Sequence, residues 1–492
     1  MPEVGRRAFV TAALAGGITA MVSTRALGAR KGAKRPNIIF ILADDMGWGD
    51  IGAYNPDSAV PTPNLDRLAQ GGMRFTDMHS SSAVCTPSRY SILTGRYAWR
   101  SRLKHGVLNG YDPSLIEDRR LTVAGMLRKA GYYTAGVGKW HLGLGHSEKT
   151  DYSKPLNPAP TDHGFDYYFG IPASLDMPPY LYFENDRAVA QPTDETPGAK
   201  QKERGVFWRA GPMMPGFDFA QVVPTLTRKA TDIIAARARK PDQPFFLYFP
   251  LPSPHTPWVP TEAYKGKSRA GTYGDYAYET DAMVGQVITA LEDHGLADDT
   301  IVVFTSDNGA DWNEEDIARY PHRANARWRG RKADVWEAGH RIPFLVKWPG
   351  HIQPGSTSAE IASLTDFMAT VASILDLPLP DDAAEDSFDL SGVMAGTNTK
   401  PVRTTIVEHS LDGTFVIREG NWKLEMALGS GGFTLPRKLE PTPDGPKGQL
   451  YDLGSDPGET NNLWDRKPEI VERLSALLRQ YQESGRTRPA AG

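Results

Sequence analysis

The strongest constraint on this chain is a repeated pairing of an amphipathic stretch with a short, wholly apolar run. Asn37-Ile38-Ile39-Phe40-Ile41-Leu42-Ala43 has no polar face, so as a strand it must be buried on both sides, as strands of a parallel sheet are. Tyr132 to Val137 repeats the pattern after a helical stretch, Leu121 to Ala130. Phe245 to Phe249 follows the amphipathic stretch Val223 to Arg239, and Thr300 to Thr305 follows Tyr278 to His294; Ile342 to Val346 is one more such run. Helix then strand, repeated, predicts an α/β fold with a large, mostly parallel sheet and helices on both faces. At 492 residues the chain accommodates that domain and a smaller one.

The smaller domain is expected at the C-terminal end. Gly145 to Phe219 is rich in Pro, Gly and aromatics without a clear period, and reads as long ordered loops that shape a pocket. The texture loosens again from Asp376 to Ser410, which divides a catalytic domain (36–385) from a small subdomain (386–485). In the latter, the strand-like pieces Thr404 to Glu408, Thr414 to Arg418 and Trp422 to Met426 precede an amphipathic helix, Pro468 to Gln482. That order predicts a smaller antiparallel sheet packed with a helix. Residues 1–29 read as a signal peptide: Arg6-Arg7-x-Phe9 resembles a twin-arginine export signal, and the apolar run from Ala8 to Val22 is too short to span a bilayer. The expected location is therefore periplasmic or secreted. No lipid-anchor cysteine follows and no later segment is apolar enough to anchor the chain in a membrane. The net charge of −4 without a basic stripe argues against nucleic acid as a partner.

Two acidic pairs follow predicted strands. Asp44-Asp45 ends the first run and Asp307-Asn308-Gly309 ends a later one. Ligands of open α/β sheets collect at the carboxyl ends of strands, so both pairs are candidates for one site. Neighbours in a strand point to opposite faces, so Asp44 and Asp45 share an ion only if the chain turns, for which Gly47 and Gly49 supply permissive backbone. An all-oxygen donor set selects calcium or magnesium. The single cysteine, Cys85, excludes an intramolecular disulfide and a thiolate zinc site, and leaves an inert thiol or a chemically special residue.

Cys85-Thr86-Pro87-Ser88-Arg89, with Leu93-Thr94-Gly95-Arg96, resembles the signature of type I sulfatases in the alkaline phosphatase superfamily. Pro87 suits a first helical turn, which sets Cys85 at a helix N-terminus that favours anions, with Arg89 one turn on. The resemblance runs through nearly all of the chain beyond the signal segment: Gly138-Lys139-Trp140-His141-Leu142-Gly143, Pro254-His255-Thr256-Pro257, Arg329-Gly330-Arg331-Lys332 ahead of Trp336-Glu337-Ala338-Gly339, and a closing Leu450-Tyr451-Asp452-Leu453. Ala338 and Arg331 depart from the usual glycine-rich pattern there.

The resemblance implies a mechanism. A separate maturation enzyme oxidises Cys85 to formylglycine, whose hydrate attacks sulfur. Asp44, Asp45, Asp307 and Asn308, together with position 85, hold calcium in preference to magnesium. Arg89, Lys139 and Lys332 bind the sulfate oxygens, His255 protonates the leaving alcohol, and His141 takes the proton that releases sulfate. Trp312, His322, Arg323, His340 and Arg341 flank these segments and are the candidate substrate contacts. The His340-Arg341 pair resembles bacterial sulfatases acting on sulfated carbohydrates, which suggests a galactose or N-acetylgalactosamine 6-sulfate; an aryl sulfate is the simpler substrate. The competing readings are a phosphonate or phosphate ester hydrolase of the same superfamily and a carbohydrate-binding protein without turnover.

Overall fold

A computed structural model describes residues 35–200 and 204–490; the expected signal peptide at 1–29 lies outside them. Every residue of the first strand, Asn37–Asp44, is buried. Alternate side chains feed two cores, as a strand covered on both faces requires. Ile38, Phe40 and Leu42 pack with the helices Cys85–Thr94, Val123–Lys129 and Phe367–Ile374. Ile39, Ile41 and Ala43 pack with Pro63–Gln70, Val222–Ala238 and Gly271–Asp293. Full burial of each large aliphatic side chain contributes about 1.5–3 kcal/mol. The strand ends on a buried carboxylate that this packing does not account for.

The sheet has ten strands, and its centre is parallel in the order Thr300–Ser306, Asn37–Asp44, Phe245–Pro254, Tyr133–Lys139, Tyr167–Ile171. Phe344–Lys347 and Met73–Phe75 extend one side antiparallel, with Ser356–Ser358 parallel to the latter; Phe183–Glu184 and Arg187–Ala188 finish the other. The sheet is thus the large, mostly parallel one expected, with two differences. Tyr167–Ile171 is a central-sheet strand inside the segment read as loops, because Tyr-Tyr-Phe-Gly-Ile offers only five residues and no aliphatic run. Helix Gly271–Asp293 starts two turns before Tyr278; Tyr273 and Tyr276 already bury on the core face, amid Gly and Asp that mask the period.

Thr405–His409, Phe415–Glu419, Trp422–Glu425 and Gln449–Asp452 form an antiparallel sheet under the helix Pro468–Glu483. Val407, Ile417, Leu424 and Leu450 meet Leu474 and Leu478 of that helix. Tyr97 and Trp99, just beyond the helix Cys85–Thr94, complete the same core. The opposite sheet face packs Val416 and Tyr451 on Val335 and Trp336. Among the described residues no helix is long and apolar enough to cross a membrane.

Candidate active site

The carboxyl ends of four parallel strands converge. Asp44 ends the first, Asp307 follows Thr300–Ser306, Lys139 ends Tyr133–Lys139, and His255 follows Phe245–Pro254. The turn needed to bring Asp44 and Asp45 together lies at Asp45 itself, whose φ is +66°. The two glycines act differently from the expectation. A Cβ on Gly47 would lie 2.2 Å from the Ala324 carbonyl oxygen, and one on Gly49 2.2 Å from that of Arg323. They permit close backbone approach, and the Gly49 N–H donates to Ala324 at 2.6 Å.

Three carboxylates meet three cations here. Lys139 Nζ donates to Asp44 and, at 2.6 Å, to Ser174 Oγ. Lys332 Nζ lies 2.7 Å from Asp45 Oδ1 and 2.8 Å from its Oδ2. Arg89 gives Nε and Nη2 to Asp307 Oδ2 at 3.1 and 2.7 Å, and Nη1 to the Lys139 carbonyl at 3.1 Å. Asn308 Nδ2 donates to Asp45 Oδ1 at 2.7 Å, so its Oδ1 turns the other way. Burial alone would raise the Asp44 carboxyl, but Lys139, His255, Arg89 and Lys332 hold it well below the usual carboxylate range. Burial, then the charge of Asp44, push Asp307 up to about 6 against the pull of Arg89.

The donor set fits a hard cation. Asp44 Oδ1 and Asn308 Oδ1 are buried and have no hydrogen-bond partner among the described residues, the state expected of oxygens reserved for an ion. Cys85 Sγ lies within 4.8 Å of carboxylate oxygens of Asp44 and Asp307. Cys85 opens its helix after the extended Val84, with its side chain buried. Burial pushes its thiol up, against Lys139 and Lys332, so the unmodified group stays protonated and a poor nucleophile.

Two histidines are set in defined tautomers. His141 Nε2 lies 2.7 Å from the Leu108 carbonyl and therefore carries the proton, while Nδ1 has no partner among the described residues. Burial, then Lys139 and Arg89, hold His141 well below its ordinary range, so it is a neutral acceptor. His255 Nδ1 donates to the Thr256 carbonyl at 2.6 Å, which leaves Nε2 3.8 Å from Asp45 Oδ2.

Cys85, Asp45, His255 and Lys332 floor a cavity of about 360 Å³. Arg89, expected on the sulfate oxygens, bonds Asp307 and the Lys139 carbonyl and lies 3.5 Å from Asp44 Oδ2. The five candidate substrate contacts do not line the cavity. Trp312 is buried between Tyr273 and Tyr320. His322 is behind the Asp45 turn, with Nε2 2.7 Å from Asp50 Oδ1, and Arg323 bonds the Ile317 carbonyl. His340 is buried against His79, and Arg341 pairs with Glu337 and Asp77. The walls come instead from Ser174, Asp176, Arg204, Phe207, Arg209 and Trp258. Most sit in or beside the segment read as pocket-shaping loops, where charges interleaved with aromatics (Arg204, Trp208, Arg209) are the signal that could have singled them out.

Comparison with known proteins assigns this architecture. The sulfatase family model matches residues 36–377. The N-acetylgalactosamine-6-O-sulfatase of Bacteroides thetaiotaomicron is 35% identical over 490 residues, covering 92% of this chain and 94% of the relative. Human arylsulfatase A is 34% identical, covering 90% and 87%. A solved sulfatase structure from work on glycosaminoglycan metabolism by Bacteroides thetaiotaomicron superposes with a TM-score of 0.81 at 33% identity, covering 92% of this chain and all of that one. The chain belongs to the sulfatase family. It is a sulfuric ester hydrolase.

Proposed function

We propose that the protein hydrolyses a sulfate monoester on a carbohydrate, using formylglycine made from Cys85 and a calcium ion held by Asp44, Asp45, Asp307 and Asn308. The observation that carries this is the pair of unpartnered buried oxygens, Asp44 Oδ1 and Asn308 Oδ1, at strand ends beside a cysteine that opens a helix. A divalent cation, when bound, neutralises charge on a sulfate oxygen, and the hydrated aldehyde supplies the nucleophile.

The chain's own residues do the rest. Lys139 and Lys332 bring positive charge to the sulfate, each oriented by one aspartate. Their charge and that of Arg89 offset Asp44, Asp45 and Asp307, so an added cation leaves a net positive field for the anionic substrate. Arg89 holds Asp307 in place. His255, fixed through its Nδ1–H, presents Nε2, which gives a proton to the leaving alcohol when the ring is the imidazolium. His141, neutral with a free Nδ1 lone pair, takes the proton that accompanies sulfate release.

The name of the Bacteroides relative supports N-acetylgalactosamine 6-sulfate as the first substrate to try. The wall residues Asp176, Arg204 and Arg209, with Phe207 and Trp258, suit a polar ring with apolar faces. The Arg6-Arg7 pair supports export by the twin-arginine route, which replacing both arginines would stop. The test is sulfate release from sulfated mono- and oligosaccharides, an aryl sulfate and a phosphonate diester, after co-production with a maturation enzyme. Mass spectrometry establishes conversion of Cys85, and Cys85→Ala is run beside it. Release is expected from the sulfated sugars and none from the variant. Converted protein that turns over only the phosphonate would replace this reading.

A further inference from the structure

Away from the cavity, two histidines and a glutamate meet where three chain segments converge. His79 closes the short strand Met78–His79 ahead of the nucleophile helix, and His340 ends the helix Glu337–His340. Glu408 lies in Thr405–His409 of the small sheet. All three are at most 1% exposed. The two Nδ1 atoms are 2.9 Å apart, and Glu408 Oε1 is 3.2 Å from each. Among the described residues neither Glu408 oxygen has a hydrogen-bond partner.

The opposite ring nitrogens fix the tautomers. His79 Nε2 lies 2.7 Å from Asp77 Oδ1, and His340 Nε2 lies 3.1 Å from the Val335 carbonyl. Both partners accept, and the tautomers they favour carry the proton on Nε2 and present lone pairs at Nδ1. Arg418 and Lys423 also come within 3.2 Å of these nitrogens. Each is anchored on a carboxylate, Arg418 on Asp77 at 2.8 and 2.7 Å and Lys423 on Glu459 at 2.6 Å, and each keeps one further N–H facing the ring nitrogen. Two lone pairs and a carboxylate oxygen at contact distance repel one another unless a cation sits among them. A proton satisfies two of the three atoms; a metal ion satisfies all three.

The spacing suits a metal. Bonds of about 2.0–2.1 Å in tetrahedral geometry set zinc ligands roughly 3.3 Å apart. The outer contacts also match, since a ligating histidine donates its other N–H to a carboxylate or a backbone carbonyl, as His79 and His340 do. We propose that His79 Nδ1, His340 Nδ1 and Glu408 bind a zinc-like divalent ion. Glu337, which has an oxygen within 4.8 Å of both histidines' ring nitrogens, is the nearest fourth donor. The nitrogen-containing set distinguishes this site from the all-oxygen catalytic one. The ion would staple the strand before Cys85 and the segment after Lys332 to the small sheet.

The full chain is to be produced with zinc in the medium, exchanged into calcium buffer, and its metal content measured by mass spectrometry. About one zinc per chain is expected, with two imidazoles in the zinc X-ray absorption spectrum. His79→Gln and Glu408→Gln should each lower retention at least tenfold, while Asp307→Asn keeps the zinc. A wild-type protein that retains none, or equal retention in the His79→Gln/His340→Gln pair, overturns the proposal. If the histidine variants do not fold, cobalt-loaded wild type decides. Visible absorption bands of a nitrogen-ligated ion support the site, and their absence refutes it.

Discussion

Asn308 tests the reading of the cation site because its amide does two things at once. Nδ2 donates to Asp45 Oδ1 at 2.7 Å while Oδ1 stays free for the ion. Asn308→Asp keeps the shape and puts a carboxylate oxygen where the donor stood. Two unit charges at that separation repel by about 6 kcal/mol at an effective dielectric constant of roughly 20. Protonating an ordinary aspartate at pH 7 costs about 4 kcal/mol, which is less, so the introduced carboxyl takes up a proton and donates to Asp45 as the amide did. Without divalent ions the variant should therefore lose about 4 kcal/mol at pH 7 and roughly 1.5 kcal/mol at pH 5. Saturating calcium should recover most of the loss by binding the folded form. The assay is guanidinium unfolding of wild type and variant at both pH values, with chelator and with calcium. An equal loss at pH 7 and pH 5, or one that calcium leaves unchanged, would refute this account of the site.

Gly49→Ala places a Cβ against the Arg323 carbonyl oxygen at 2.2 Å, so the turn must shift; a loss of about 1–3 kcal/mol and weaker calcium binding are expected, measured by unfolding and calorimetry. Asp281, which accepts the Asn64 and Leu65 N–H groups, is pushed up to about 6 mainly by burial. Its folded form resists ionisation, so its contribution to stability falls as pH rises from the unfolded value near 4 through 6. The gap between wild type and Asp281→Asn should then move by up to about 3 kcal/mol between pH 4 and pH 7, against the wild type. A constant gap across that range would remove burial as the cause.

What could be read from the sequence follows from how locally each feature is encoded. Asp44, Asp45, Asp307 and Asn308 stand directly after apolar runs, so identifying the strands also located the acids. Cys85 and Arg89 lie in one helical turn with Pro87, and Lys139, His141 and Lys332 carry motifs of a few residues. The direction of Arg89 was not legible, because its partner Asp307 is remote in the chain. The same holds for His322, whose partner Asp50 lies behind the Asp45 turn, and for His340 and Arg341, which join a buried charge network with Glu408, Arg418 and Lys423 of the small sheet. A histidine beside an arginine looks alike in a sequence whether it faces a cavity or a core. Tyr167–Ile171 was missed for a related reason: its burial comes from neighbouring strands, and its own residues carry no period.

The shared core around Tyr97 and Trp99 sets an order on the finished molecule. These two rings follow the helix that Cys85 opens, yet Leu474 and Leu478, which share their core, lie far along the chain and are made much later. The segment beside that helix therefore cannot finish packing until Pro468–Glu483 has been made. A chain ending before residue 468 would leave Trp99 with an open apolar face, so the small sheet and its helix are no detachable appendage but the closing piece of the core beside the helix Cys85–Thr94.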